Sequence, residues 1–247
     1  MSKKHKEWIL ITGGSRGIGR GLVEALADEY RVIFTYANNK TIADEIVSEQ
    51  QEKGKLVNCF QCNGNDPAQV NSLSEQCLSE FGSPYAVINN AGITQDTLMV
   101  SMTDDNWRSV VNANLDASFY ISRAFLPSMM GERRGVILLM SSVTAVKGNQ
   151  GQVNYAATKA GMIGFARSLA LEVARFKIRV NAIAPGLIAT EMAENIPDRE
   201  RRAMKSSIPL RRMGKVSEVS ALVQYLLSPP AEYITGQTII IDGGLSA

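Results

Sequence analysis

The sequence predicts a single-domain α/β fold, a doubly wound parallel sheet of about seven strands with helices on both faces. Three observations predict it. Short apolar runs rich in β-branched residues alternate with helix-like stretches from residue 8 to the end of the chain. A glycine-rich loop joins the first of these runs to the first helix-like stretch. Several later runs end in polar or glycine-containing turns, which right-handed crossovers collect at one edge of a parallel sheet. With 247 residues, 45% of them apolar, the chain can bury one sizeable core.

The first run, Trp8–Thr12, leads directly into Gly13-Gly14-Ser15-Arg16-Gly17-Ile18-Gly19 and then into a helical stretch. Glycines let the backbone turn sharply and approach a phosphate, and the helix start offers N–H groups and the positive end of its dipole. The spacing departs from G-x-G-x-x-G, so an ordinary tight turn is the other reading of this loop. Arg31–Tyr36 is the second strand. NAD sites place an acid at the end of this strand to bind the ribose 2′-hydroxyl. This chain has Ala37-Asn38-Asn39-Lys40 there, and its first acid, Asp44, opens the stretch expected to be helical, 44–53. Together, Arg16 and Lys40 suit an additional 2′-phosphate, and the expected cofactor is NADPH.

A third strand over 55–62 ends at Asn63, whose amide suits either an adenine edge or a turn beside Gly64. Asp66 and Pro67 mark the N-cap and first position of a helix reaching Phe81. Tyr85–Asn89 is the fourth strand, and Asn90-Ala91-Gly92 is its turn. The helical stretch 103–123 contains Asn114, a residue that competes for backbone groups; it either serves a site or faces solvent. Gly135–Met140, the fifth strand, delivers Ser141 and Ser142 to the same edge. Farther on, Tyr155 and Lys159 are four residues apart and share a helix face, as a proton donor beside a cation or as an ordinary exposed pair. Ile178–Ala184 is the sixth strand, followed by Pro185-Gly186. The segment 187–212, rich in Met, Glu and Arg, is the expected substrate lid. A helix over 217–227 and a strand from Gln237 complete the fold.

A formal net charge of +2 with interleaved signs calls for neither nucleic acid nor an anionic membrane. No apolar run approaches the ~20 residues of a membrane helix. The single histidine, His5, lies in a polar tail, so histidine-based triads are excluded and acid–base work falls to another residue type. Cys59, Cys62 and Cys77 supply neither a disulfide framework nor a full zinc ligand set. With no secretion signal ahead of the first apolar run, the expected location is cytoplasmic.

The loop TGGSRGIG, the NNAG turn at 89–92, Asn114 in an N-x-N-L context, Ser142, Tyr155-x-x-x-Lys159 and Pro185-Gly186 occur in one order across nearly the whole chain. In these the chain resembles the short-chain dehydrogenase/reductase family, and within it the β-ketoacyl-acyl carrier protein reductases. The resemblance implies a Rossmann-type domain, NADPH as hydride donor, and reduction of a 3-oxoacyl thioester on acyl carrier protein in fatty acid or polyketide-type synthesis. Tyr155 would donate the proton and Ser142 would hold the carbonyl oxygen. Lys159 would grip the nicotinamide ribose and lower the Tyr155 pKa, with Asn114 supporting a water behind it. Cofactor contacts are implied for the glycine loop, Asn38–Lys40, Asn63, Asn90–Gly92, Tyr155, Lys159, Pro185, Gly186, Ile188 and Thr190. Three positions depart from the family pattern. Asn63 stands where many members have aspartate, Gly14 replaces a commoner alanine, and residue 37 is not basic, which leaves the phosphate mainly to Arg16.

The resemblance also implies a homotetramer, assembled through the helices bearing Tyr155 and Asn114. Ala156, Ala157, Ala160, Gly161 and Gly164 would permit close subunit contact, or would pack against their own sheet. Arg133, Arg134, Arg175 and Lys177 would meet an acidic carrier, or are simply solvated. Two other functions stay open: a reductase of free ketones or acetoacetyl-CoA, and a nucleotide-binding regulatory subunit.

Overall fold

In the computed structural model, which describes residues 6–190 and 198–247, strand β1 (Trp8–Ile11) is buried along its whole length. Strands covered on both faces carry near-continuous apolar runs, and β2 (Arg31–Tyr36), β4 (Ala86–Asn89), β5 (Gly135–Met140) and β6 (Ile178–Pro185) all follow that rule. β3 (Val57–Gln61) and the late strand β9 (Thr238–Ile241) are the more exposed edges. The order is β3-β2-β1-β4-β5-β6-β9, with every pairing parallel.

The crossovers use α1 (Gly17–Leu26), α2 (Lys40–Glu52) and α3 (Pro67–Phe81). Next, α4 (Asp104–Val111) passes through a wide turn at Asn112–Asp116 into α5 (Ala117–Glu132). The short α6 (Thr144–Lys147) is followed by α7 (Val153–Val173), α8 (Asp198–Ser207) and α9 (Val216–Leu227). Successive side chains of a strand point to opposite faces, so Ile9 and Ile11 pack under α1 and α9, while Leu10 packs with Phe125 of α5 and Met162 of α7. Burying side chains of this size stabilises the fold by roughly 1.5–3 kcal/mol each.

Several boundaries moved from their expected places. The second helix starts at Lys40 rather than Asp44, so Asn39 occupies the N-cap. α5 runs to Glu132, past the expected Arg123 and through Pro127, before Arg133 ends it in left-handed backbone. α3 begins as expected: the Asp66 carboxylate accepts from the N–H groups of Ala68 at 2.9 Å and Gln69 at 3.4 Å. The root of the expected lid is a small parallel sheet of β7 (Ile188–Ala189) and β8 (Gly214–Lys215). Residues 191–197 of that segment lie outside the described residues.

Chain order reverses between β1 and β4, which places a crevice outside the carboxyl ends of these strands. Among the described residues, no helix is long and apolar enough to cross a membrane.

Candidate active site

The floor of the crevice is the glycine loop pressed against the turn after β4. Gly13 and Gly17 adopt left-handed backbone, with φ of +66° and +53°. A Cβ on Gly13 would lie 3.0 Å from the Ala91 Cα, and one on Gly19 only 2.1 Å from the Gly13 carbonyl oxygen. Only hydrogen fits at these positions. Thr12 fastens the two segments, its Oγ1 accepting from the Asn90 and Ala91 N–H groups at 3.0 Å each. The Asn90 amide returns bonds to the carbonyls of Thr12 and Gly13 at 3.0 and 3.1 Å. Arg16, exposed, is the N-cap of α1 and makes no side-chain cap, so the first-turn N–H groups remain for an anion. This close backbone cradle at a helix start fits a dinucleotide pyrophosphate. Thr190 reaches over it: its Cγ2 is 3.6 Å from where a Gly17 Cβ would be. Gly186, whose own Cβ would lie 2.7 Å from the Asp242 Cα, borders the same edge after Pro185.

At the next strand ends, Asn38, Asn39 and Lys40 are exposed. Lys40 donates to the Asp44 carboxylate at 2.6 Å, which raises the Lys40 pKa, so its charge is shared with an acid one helical turn on. The Asn63 Oδ1 accepts from the Asn65 N–H at 3.2 Å, forming a turn that leaves the amide nitrogen outside it. Cys59 is half-buried in β3 and Cys62 is buried just after it, both as free thiols.

The other side of the crevice is assembled from β5, α7 and the wide turn before α5. Asn114 is fully buried in that turn, which overturns the solvent-facing alternative. Its Oδ1 accepts from the Ile93 N–H at 2.8 Å, and its Nδ2 donates to the Ile93 carbonyl and to Thr158 Oγ1, both at 3.1 Å. A Cβ on Gly92 would lie 3.0 Å from Asn114 Oδ1 and 3.3 Å from Lys159 Nζ, so both groups border the space over this glycine. Ser142 Oγ accepts from the Thr144 N–H at 3.1 Å, and the Ser142 hydroxyl acts on Tyr155 to lower its pKa.

Lys159 is 3% exposed, and its ammonium donates to the Met140 carbonyl at 2.7 Å. Burial lowers its pKa from 10.5 to about 8. Its Nζ lies 5.5 Å from the centroid of the Tyr155 ring. The expectation that Lys159 brings the phenol below its ordinary pKa is corrected here. Burial raises the Tyr155 pKa, the Ser142 hydroxyl opposes the rise, and the Asp96 charge adds to it. The physical reason is that desolvation disfavours the phenolate, the largest influence on this group, while the Lys159 ammonium directs one N–H to the Met140 carbonyl.

Sequence reasoning missed Thr12 as a fastener and the buried Asn154. Asn154 donates to the carbonyls of Gln95 and Asn106 at 3.1 and 3.2 Å, pinning the segment after β4 to the start of α7. Its position immediately before Tyr155 is the one signal that could have found it.

The four basic residues considered for docking are not brought to this edge. Arg133, Arg134, Arg175 and Lys177 precede β5 and β6, at the opposite end of the sheet. Arg133 donates to the Arg175 carbonyl at 2.9 Å, and both guanidinium groups lie over the Phe176 ring. Arg134 pairs with Glu7 and covers Tyr85. Of the small α7 residues, Gly161 packs on its own chain, a Cβ there being 3.2 Å from Leu115 Cδ2, whereas Ala157, Ala160 and Gly164 are exposed.

A family model for enoyl-(acyl carrier protein) reductase matches residues 13–246. The 3-oxoacyl-[acyl-carrier-protein] reductase of Staphylococcus aureus is 41% identical over 237 residues, 96% of each chain. The enzymes of the same name from Salmonella typhimurium and Escherichia coli K12 are each 40% identical over 236 residues, again 96% of each chain. The chain belongs to the short-chain dehydrogenase/reductase family and is an oxidoreductase.

Proposed function

We propose that the protein reduces 3-oxoacyl thioesters carried on acyl carrier protein to 3-hydroxyacyl products, with NADPH as the electron donor. The observation that carries this is the buried Lys159 one helical turn from Tyr155, its Nζ 5.5 Å from the phenol ring, across the crevice from the glycine cradle. Identity of about two-fifths with 3-oxoacyl reductases over nearly the full chain supports the substrate class. NADPH is favoured because no acid follows β2 and Arg16 stands exposed at the start of α1.

The glycine cradle of Gly13, Gly17 and Gly19 would hold the dinucleotide, which would supply the hydride for the keto carbon. Ser142 holds the keto oxygen by hydrogen bonding, and Tyr155 delivers its proton as charge develops there. The raised Tyr155 pKa keeps the phenol protonated near neutrality, as a proton donor requires. Lys159 Nζ, which borders the space over Gly92, would hold the ribose hydroxyls, and Asn114 would offer its remaining acceptor lone pair to a water beside it. Oligomerisation would use the exposed Ala157, Ala160 and Gly164 surface of α7.

The test is a substrate panel run with NADPH and with NADH. It compares carrier-bound and CoA-bound 3-oxoacyl thioesters, 2-enoyl thioesters and free ketones. NADPH oxidation fastest on the carrier-bound 3-oxo substrates is expected. No turnover of 3-oxoacyl thioesters overturns the proposal, and preference for the free ketone assigns a small-carbonyl reductase instead.

A further inference from the structure

Thr190, which lies over the phosphate cradle, follows a strand too short to hold itself. β7 pairs with β8 over two residues, and the Gly214 N–H donates to the Leu187 carbonyl at 2.9 Å. Even a longer two-stranded pair is marginally stable on its own, so β8 needs an anchor. The two strands also approach closely: a Cβ on Gly214 would lie 2.7 Å from Ile188 Cδ1.

The anchor is an ion pair that spans β8. Arg212 precedes the strand and Glu218 follows it, in the first turn of α9. The guanidinium donates through Nη1 at 2.8 Å and Nη2 at 2.7 Å to the two carboxylate oxygens, and the Lys215 N–H donates to Glu218 Oε2 at 2.7 Å. A surface pair joined by one bond contributes little, but a bidentate fork fixes direction as well as distance, and here the backbone of β8 is a third donor. Beneath it α9 is well seated. Val219 and Val223 are fully buried, and Gly21 of α1 leaves no room for a Cβ against Val216. The start of α1 forms the cradle, and Thr190 Cγ2 closes back on its first residue, Gly17. The contacts thus run in a circuit from α1 to α9, through the ion pair to β8 and β7, and by Thr190 back to α1.

We propose that Arg212 and Glu218 are positioning residues for the dinucleotide, holding β8 and, through β7, Thr190 over the phosphate cradle. This deepens the reductase proposal and rests on it for the cofactor. Both residues act through Thr190 rather than on the dinucleotide itself.

The test is a binding titration of the full chain, read by NADPH fluorescence and independent of turnover. Glu218→Ala should weaken NADPH about tenfold, the equivalent of one well-placed hydrogen bond. Glu218→Gln keeps an acceptor for the Lys215 N–H and should recover part of that loss. Thr190→Ala should weaken NADPH by a similar factor. The double variant Glu218→Ala/Thr190→Ala should bind no worse than Thr190→Ala alone, because a residue that acts through Thr190 then has nothing left to position. Thermal melts set the titration temperature below the unfolding range of every variant. If Glu218→Ala does not fold, Glu218→Gln and Arg212→Lys carry the same cycle. Wild-type affinity in the folded Glu218 and Arg212 variants overturns the inference. So does a double variant in which the two losses add, which would make the ion pair a general support of the fold. A wild type that binds NADPH and reduces no thioester ends the reductase proposal, while these titrations still decide this one.

Discussion

The two ends of the crevice are built on different physics. At the reacting end, Asn114 and Lys159 are buried, and their polar atoms are taken up by Ile93, Thr158 and Met140. At the phosphate end, Arg16, Asn38, Asn39 and Lys40 are exposed, and Lys40 shares its charge with Asp44. A buried polar group that loses its partner costs its full desolvation, about 1–3 kcal/mol, whereas an exposed ion pair contributes ~0–1 kcal/mol and is screened by salt. Substitutions at the first end should therefore change stability as well as turnover. Those at the second should tune cofactor preference and leave the fold alone.

The comparison breaks most visibly at Tyr155. Tyr155→Phe removes the proposed donor and should cut kcat by roughly a thousandfold with NADPH affinity retained, measured by steady-state kinetics beside a binding titration. Unchanged turnover would return Tyr155 to the helix surface.

Lys159→Met sharpens the link between function and stability. Burial depresses the lysine pKa to about 8, so the folded state binds fewer protons than the unfolded chain between that value and 10.5. Wild-type stability should accordingly rise as pH climbs through this window and fall as pH drops through about 8. The methionine variant should lose this dependence. It should also melt about 5 °C higher at pH 7, since no charge is held out of water, while turnover collapses. Thermal melts across pH check the sign; a variant that melts lower would show that the Met140 hydrogen bond outweighs desolvation.

Arg16→Ala addresses the other end, and should weaken NADPH binding roughly tenfold while NADH binding and melting temperature hold. Asp44→Asn should produce the smallest change, an about threefold tightening of NADPH that fades in high salt, as Lys40 is released from its acid. Loss of folding in either variant would contradict the contrast between the ends.

Much of this molecule is legible in residue types and spacing. The parallel sheet follows from apolar runs with no polar alternation, the cradle from glycines placed where a strand meets a helix, and Tyr155 with Lys159 from one helical turn. These are local facts, and covalent geometry and periodicity encode them. Tertiary structure alone decided which way the charges act. Lys159 spends its ammonium on a carbonyl 19 positions away in the sequence, and Asp96 meets Gln152 across 56. Burial, which no spacing reports, turned the Tyr155 shift upward. The same holds for Arg133 and Arg175, whose composition suggests a docking surface but whose place at the sheet's far edge is set by strand direction. Sequence determined the parts and their order along the chain. Long-range packing determined their desolvation and their partners, because both depend on surfaces that meet only when the sheet and its helices close together.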